Sequence, residues 1–194
     1  MMRTAAALQP PELDPMTLET PDGYELINGA RREKSMSRES SWIATQVASL
    51  LWVHCRETGI GEAFGADTAY RCFAGRPRHS RKPDASFVSR KRLPKVPSGP
   101  GDFLLPPDLV VEVISPNEPA SALNSEVEDF RAVGVPLIWV IDPENRLATI
   151  YSTDSIRIVG EQDELSGGDV LPGFRMKLAD VLLPPTPAAT PESP

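Results

Sequence analysis

Two segments of the chain carry a helical rhythm and several carry a strand rhythm. From Ser41 to Glu57 the apolar residues Ile43, Val47, Leu50 and Leu51, followed by His54, recur at offsets of four, seven, eight and eleven. That spacing predicts an amphipathic helix, with Ser40 or Ser41 as N-cap and Gly59 beyond its end. Leu123, Val127 and Phe130 predict a second helix, closed by Gly134. Strands are expected at Gly61–Phe73, Asp84–Val88, Leu109–Ile114 and Leu137–Ile141, with Leu147–Tyr151 as a hairpin partner after the turn Asp142-Pro143-Glu144-Asn145. Leu109–Ile114 is nearly continuous and β-branched, as in a strand buried on both faces. A strand, the second helix and another buried strand in succession imply a parallel crossover, hence a mixed α/β (α+β) sheet flanked by helices. Asp22-Gly23 reads as a turn into Tyr24–Ile27, and Thr17 with Glu19 as one helical turn at the entry.

The ends read differently. Residues 1–15 are interrupted by proline, and 184–194 carry five prolines in eleven residues, so both are expected to be tails around a single domain at 16–183. The chain is long enough for one ordinary core. No apolar run approaches the ~18 residues of a membrane span, and the N-terminus lacks a signal-peptide core. A soluble cytoplasmic protein with no membrane partner is therefore expected. Cys55 and Cys72 have neither paired spacing nor a histidine cluster, which argues against a disulfide framework or structural zinc.

A net charge of −7 argues at first against a nucleic-acid partner. The distribution of that charge points the other way. Between Arg71 and Lys95 lie nine of the twenty basic residues against one acid, Asp84, whereas Val96–Phe130 has no Lys or Arg and holds Asp102, Asp108, Glu112, Glu118, Glu126, Glu128 and Asp129. A basic rim beside an acidic centre suits a metal enzyme acting on a polyanion, although solvated loop charges would give the same count. The candidate backbone-binding residues are Arg76, Arg78, Arg81 and Lys82.

Glu112 is the most informative residue. It interrupts Leu109-Val110-Val111-Glu112-Val113-Ile114 and shares a strand face with Val110 and Ile114. A carboxylate buried there needs a metal, a cation or a proton. The plain alternative is a Glu paired with an Arg or a backbone donor. Asp84, in Lys82-Pro83-Asp84-Ala85-Ser86-Phe87-Val88, opens a strand after a proline. With Glu112 on a neighbouring strand it would form a two-carboxylate nest for a hard cation such as Mg2+ or Mn2+.

The ordered motifs Tyr24-Glu25-Leu26-Ile27-Asn28-Gly29, Gly65-Ala66-Asp67-Thr68, Lys82 to Val88, Pro107-Asp108-Leu109 through Ser115-Pro116, Ala132-Val133-Gly134-Val135 and Trp139-Val140-Ile141-Asp142-Pro143 resemble a bacterial group described as restriction-endonuclease-like, within the PD-(D/E)XK nuclease superfamily. The resemblance runs from about Met16 to Phe174. It implies a restriction-endonuclease-like mixed central sheet, DNA as partner, and Glu25, Asp84 and Glu112 at the group's acidic positions, with Asp84 and Glu112 as metal ligands. It also implies a lysine, which the superfamily carries two residues after the second acid and this group carries on the second helix. Those positions are Ile114 and Glu126.

No Lys lies between Lys95 and Lys177, so no local substitute is expected. Helical phase turns Glu126 toward the site, where it could be a further metal ligand, and turns Glu128 and Asp129 away. Arg131 reads as an exposed helix arginine, His54 and His79 as edge and loop residues, and Trp139 as core. Three functions follow: a divalent-metal endodeoxyribonuclease, a nuclease-derived binding or regulatory module that lost turnover with its lysine, and a structural oligomer whose acids are engaged by basic side chains. A symmetric homodimer is plausible for two-strand cleavage.

Overall fold

A computed structural model describes residues 19–34, 36–93, 101–116 and 118–183. The two expected tails, and Thr17 of the expected helical turn, lie outside the described residues. The core is a six-stranded sheet in the order β3-β4-β5-β6-β7-β8, formed by Gly61–Gly65, Ala85–Ser89, Leu109–Val113, Leu137–Asp142, Leu147–Ser152 and Ile156–Gly160. Every neighbouring pair is antiparallel except β5 and β6, which run parallel because helix α2 (Ala120–Ala132) carries the chain between them. This is the mixed sheet with a β-helix-β crossover that the sequence predicts.

Alternation along the strands divides the core in two. Leu109, Val111 and Val113 of β5, with Leu137, Trp139 and Ile141 of β6, face helix α1 (Arg38–Thr58) and the C-terminal segment. Val110, Ile138 and Val140 face α2 and Phe73. Trp139 is fully buried and stacks on Phe174 at 5.9 Å between centroids. Two antiparallel pairs lie outside the main sheet: β1 (Tyr24–Ile27) with β2 (Ala30–Glu33), and β9 (Glu164–Ser166) with β10 (Arg175–Lys177). Among the described residues no helix is long and apolar enough to cross a membrane.

Several expectations need adjustment. Helix α1 begins a turn early, because Ser37 rather than Ser40 or Ser41 is its N-cap and accepts from the Ser40 amide at 3.0 Å. Its buried face is Ser40, Ile43, Ala44, Val47, Leu51 and Cys55. Leu50 falls outside that face and is 39% exposed. Gly59 ends the helix in the left-handed region, with its amide on the Cys55 carbonyl at 2.8 Å. The long strand expected over Gly61–Phe73 stops at Gly65, where a turn hydrogen-bonds the Thr68 amide back to the Gly65 carbonyl at 3.1 Å.

The start of β3 is pinned to its neighbour. A Cβ added at Gly61 would collide with the Val88 carbonyl and the Phe87 ring, whereas one added at Gly65 would meet nothing. Gly61→Ala should therefore lower stability in urea unfolding by about 1–3 kcal/mol, and Gly65→Ala should change it little. Equal effects of the two substitutions would contradict this packing.

Candidate functional site

Sheet register brings the two principal acids together. β4 and β5 pair Phe87 with Leu109, Ser86 with Val110 and Ala85 with Val111, so the next step of the ladder sets Asp84 opposite Glu112. Both side chains fall on the α2 side with Val110 and are buried, at 3% exposure each. Asp84 Oδ2 accepts from the Val113 amide at 2.7 Å, which fixes the carboxylate against the end of β5. Its Oδ1 is buried without a hydrogen bond.

The cation at this pair comes from a distant part of the sequence. Lys34 Nζ lies 3.0 Å from Glu112 Oε2 and 3.2 Å from Asp84 Oδ1, the second contact within ion-pair distance but outside hydrogen-bond geometry. It also donates to the Lys82 carbonyl at 2.6 Å. Lys34 arrives on the β1–β2 hairpin, whose two-residue loop is Asn28-Gly29, with φ of 52° and 91°. The Lys34 amide donates to the Gly23 carbonyl at 3.0 Å and extends the ladder one residue past β2. Lys34 thus projects in phase with Arg32, the cross-strand partner of Glu25. No lysine lies on or beside α2, as expected, but Lys34 reaches the acid pair in space.

Arg81 forms a second centre. It is 1% exposed, and its guanidinium donates to Glu25 Oε2 at 2.9 Å, Glu126 Oε1 at 3.2 Å, Asp129 Oδ2 at 2.8 Å and Ser125 Oγ at 3.0 Å. Glu25 uses its other oxygen on the Lys82 amide at 2.8 Å. Glu25 lines the cleft, but both of its oxygens are engaged by Arg81 and Lys82. Glu126 faces the cleft, as helical phase implies, and lies 3.6 Å from Arg32 as well.

Asp129 does not point away. It is buried and accepts from Arg76 at 2.6 Å, from His79 Nε2 at 2.8 Å and from Arg81, while the Asn28 amide donates to His79 Nδ1 at 3.2 Å. That pair of contacts assigns the ring proton to Nε2. His79 lies in a loop, as expected, but is buried there. Arg131 is an exposed helix residue as expected, with its guanidinium 5.9 Å from the Tyr151 ring centroid.

The basic stretch is largely neutralised, contrary to the expectation of a free rim. Arg81 is buried and four-fold engaged, Lys82 is 2% exposed with its ammonium on the Pro21 carbonyl, and neither can reach a phosphate backbone in this arrangement. Arg76 is tied to Asp129, Arg71 to Asp102 and Arg92 to Asp108. Of Arg76, Arg78, Arg81 and Lys82, Arg78 alone is exposed and outside the ion pairs among the described residues.

The cleft over these groups has a volume of about 200 Å3 and is lined by Glu25, Arg32, Lys34, Asp84, Glu118 and Glu126, among others. Its charge state follows from burial. Burial works against the charge on Lys34, but Glu112, Asp84, Glu126 and Glu25 outweigh it and hold the ammonium well above its ordinary pKa. Burial raises Glu112 well above the carboxylate range against the pull of Lys34. It likewise pushes Glu126 up to about 8, with Lys34 and Arg81 opposing and Glu25 and Glu118 reinforcing. For Asp129, burial is overcome by hydrogen bonds from His79, Arg76 and Arg81, which hold the carboxyl well below its usual range.

Five buried carboxylates therefore share Lys34 and Arg81 with only partial help from Arg32 and Arg76, and the surplus negative charge must be met by a proton or a further cation. No group of three His, Cys, Asp or Glu side chains is arranged to hold a metal among the described residues. The donors that fit one are Asp84, whose Oδ1 accepts no hydrogen bond and meets only the Lys34 charge, and Glu112. Two carboxylates suit a hard cation that keeps several of its waters.

Glu126 supplies a pH test. Its raised folded-state value means the folded chain binds a proton that the unfolded chain releases above about 4.3, so its contribution is fully present at acid pH and is lost as pH rises toward about 8. Glu126→Gln should flatten the fall in melting temperature between pH 5 and 8, with about 2–4 °C gained at pH 8 for each kcal/mol recovered. A melting curve at pH 8 unchanged or lowered by the substitution would contradict this charge state.

Comparison with known proteins agrees with the fold and with the sequence resemblance. A crystal structure described as a putative nuclease belonging to DUF820, from Anabaena variabilis ATCC 29413, superposes with a TM-score of 0.70 at 22% identity, covering 86% of this chain and 93% of that one. No curated protein matches the chain. The family model Uma2, described as putative restriction endonuclease, matches residues 10–179, and the chain belongs to that family.

Proposed function

We propose that the chain hydrolyses DNA phosphodiester bonds with a divalent cation, Mg2+ or Mn2+, held by Asp84 and Glu112. The observation that carries this reading is the convergence of two buried carboxylates from adjacent strands on one cation position, with Asp84 Oδ1 left without a hydrogen bond. The nuclease-like fold and the family support the reaction class. A bound cation would acidify a water and neutralise charge developing on the phosphoryl group.

The protein's own residues do the rest. The Val113 amide orients Asp84, and Arg81 with the Lys82 amide holds Glu25 and so anchors the hairpin against the site. Arg78, exposed beyond the hairpin turn and outside the ion pairs among the described residues, is a cation available to a DNA backbone, whereas Arg32 lines the cleft already engaged by Glu118 and Glu126. Glu126, already in contact with Arg81 and Arg32, is a polar partner of these arginines rather than a group acting on phosphate.

One observation favours a second reading. Lys34 already neutralises both acids, so a nuclease-derived binding module could use the ammonium in place of a metal. The two readings separate in one experiment. With supercoiled and linear DNA, the native protein should cut in Mg2+ or Mn2+ and not in EDTA, and Glu112→Gln should lose at least about 10²-fold in rate, equivalent to several kcal/mol of transition-state stabilisation. Titration calorimetry should register metal binding by the native chain and its loss in Glu112→Gln. Absence of both cutting and metal binding in the native protein would favour the binding module.

A further inference from the structure

We infer that Lys34 is a catalytic residue of this site, delivered by the β1–β2 hairpin: its ammonium rests between Asp84 and Glu112 and, with a divalent cation and substrate bound, engages a non-bridging oxygen of the scissile phosphate. The inference rests on the phosphodiesterase reading above. Its role in the reaction requires no proton exchange at nitrogen. Water oxygen bonds to phosphorus, the ester P–O bond breaks, the leaving oxygen takes up a proton derived from the water, and Lys34 remains an ammonium that offsets charge on the phosphoryl oxygens.

Three features of the structure converge on this residue. Among the described residues, Lys34 is the one cation within ion-pair distance of Asp84 or Glu112. The other cations of the cleft are committed elsewhere: Arg81 to Glu25, Glu126, Asp129 and Ser125, and Arg32 to Glu118 and Glu126. Finally, Lys34 is held at its backbone, and its ammonium, on Glu112, Asp84 and the Lys82 carbonyl, sits at the cleft. Its amide is fixed to Gly23, while 16% of its side chain is exposed and it lines the cleft. An ammonium on a four-carbon stem can leave the carboxylates for a phosphate oxygen without moving the hairpin.

A ligand that pairs with both acids in the resting state must compete with the metal for them. Removing it should therefore ease metal binding while harming chemistry, a combination that a merely structural lysine would not produce. The test compares the native chain with Lys34→Met, which keeps the stem without the charge, and Lys34→Arg, which keeps the charge if the apolar variant folds poorly. Measurements are melting temperature in EDTA and in Mg2+, Mg2+ affinity by calorimetry, and DNA cleavage at saturating Mg2+.

For Lys34→Met the expected results are a lower melting temperature in EDTA, a larger rise on adding Mg2+ than the native chain shows, Mg2+ affinity equal or higher, and cleavage reduced by about 10²-fold or more. Lys34→Arg should retain a measurable part of the native rate. Lys34→Met cutting within about threefold of the native rate, or losing Mg2+ affinity, would overturn the assignment while leaving the phosphodiesterase reading intact. A native chain that binds Mg2+ but cuts no DNA would overturn both.

Discussion

The cost of burying carboxylates organises this molecule. Glu112 sits in the middle of a strand whose other side chains are apolar, and Asp84 is set opposite it by the ladder between β4 and β5. Neither could remain charged there without a partner. The partner is not on the sheet at all. It is Lys34, carried in on the β1–β2 hairpin, and the placement of that hairpin is therefore part of the stability of the acid pair. Hydrogen bonds of Leu26 with Ser80, of Gly29 with the Arg78 carbonyl and of Glu25 with the Lys82 amide join the hairpin to the segment that leads into β4. The strand carrying Asp84 and the turn delivering Lys34 are thus one mechanical unit.

Arg81 extends the same logic to α2. A single guanidinium bridges β1, through Glu25, to two successive turns of the helix, through Ser125, Glu126 and Asp129. Five donors in a rigid fork suit one arginine to this task better than a lysine, whose ammonium is a point charge. His79 and Arg76 complete the coordination of Asp129, and the Asn28 amide ties His79 back to the hairpin loop. The site is consequently framed on three sides by elements that are fixed to one another through charge. Removing Glu25 or Asp129 leaves a buried cation under-neutralised rather than simply deleting a contact.

The acid pair was legible in the sequence because its signal is local: one Glu inside an apolar β-branched run, and one Asp at the mouth of a neighbouring strand. The same holds for both helices and the parallel crossover, whose periodicities are set by faces that each element buries. Lys34 was not legible by the same means. In sequence it follows Arg31, Arg32 and Glu33, a string that reads as solvated charge, and it stands 50 residues before Asp84. A signal did exist in the Asn28-Gly29 pair, which marks a tight hairpin and, by alternation, puts Glu25, Arg32 and Lys34 on one face. Its consequence depends on where the hairpin docks, which no local pattern encodes. The clustering of basic residues between Arg71 and Lys95 misled for the complementary reason. Charge counted along the chain cannot register that Arg71, Arg76 and Arg92 each meet an acid more than ten positions away.

That neutralisation bears on how a chain of net charge −7 could hold DNA. Phosphate affinity grows with the number of cations that exchange counterions at the backbone, and the buried or paired arginines contribute little to that number. With Arg81 and Lys82 buried and Arg71, Arg76 and Arg92 paired, sequence-independent binding through this stretch should be weak and its salt dependence shallow. The acids of the cleft, with Glu112 and Glu126 pushed toward their neutral forms by burial, offer a phosphate no attraction until a cation arrives. Substrate and metal should then enter interdependently, each reducing the cost of the other's charge. On the proposed reaction Lys34 would have two opposing partners, the acid pair it holds in this structure and the phosphate, and the divalent cation would decide between them, so that a single lysine could stabilise the empty fold and still be available to the substrate.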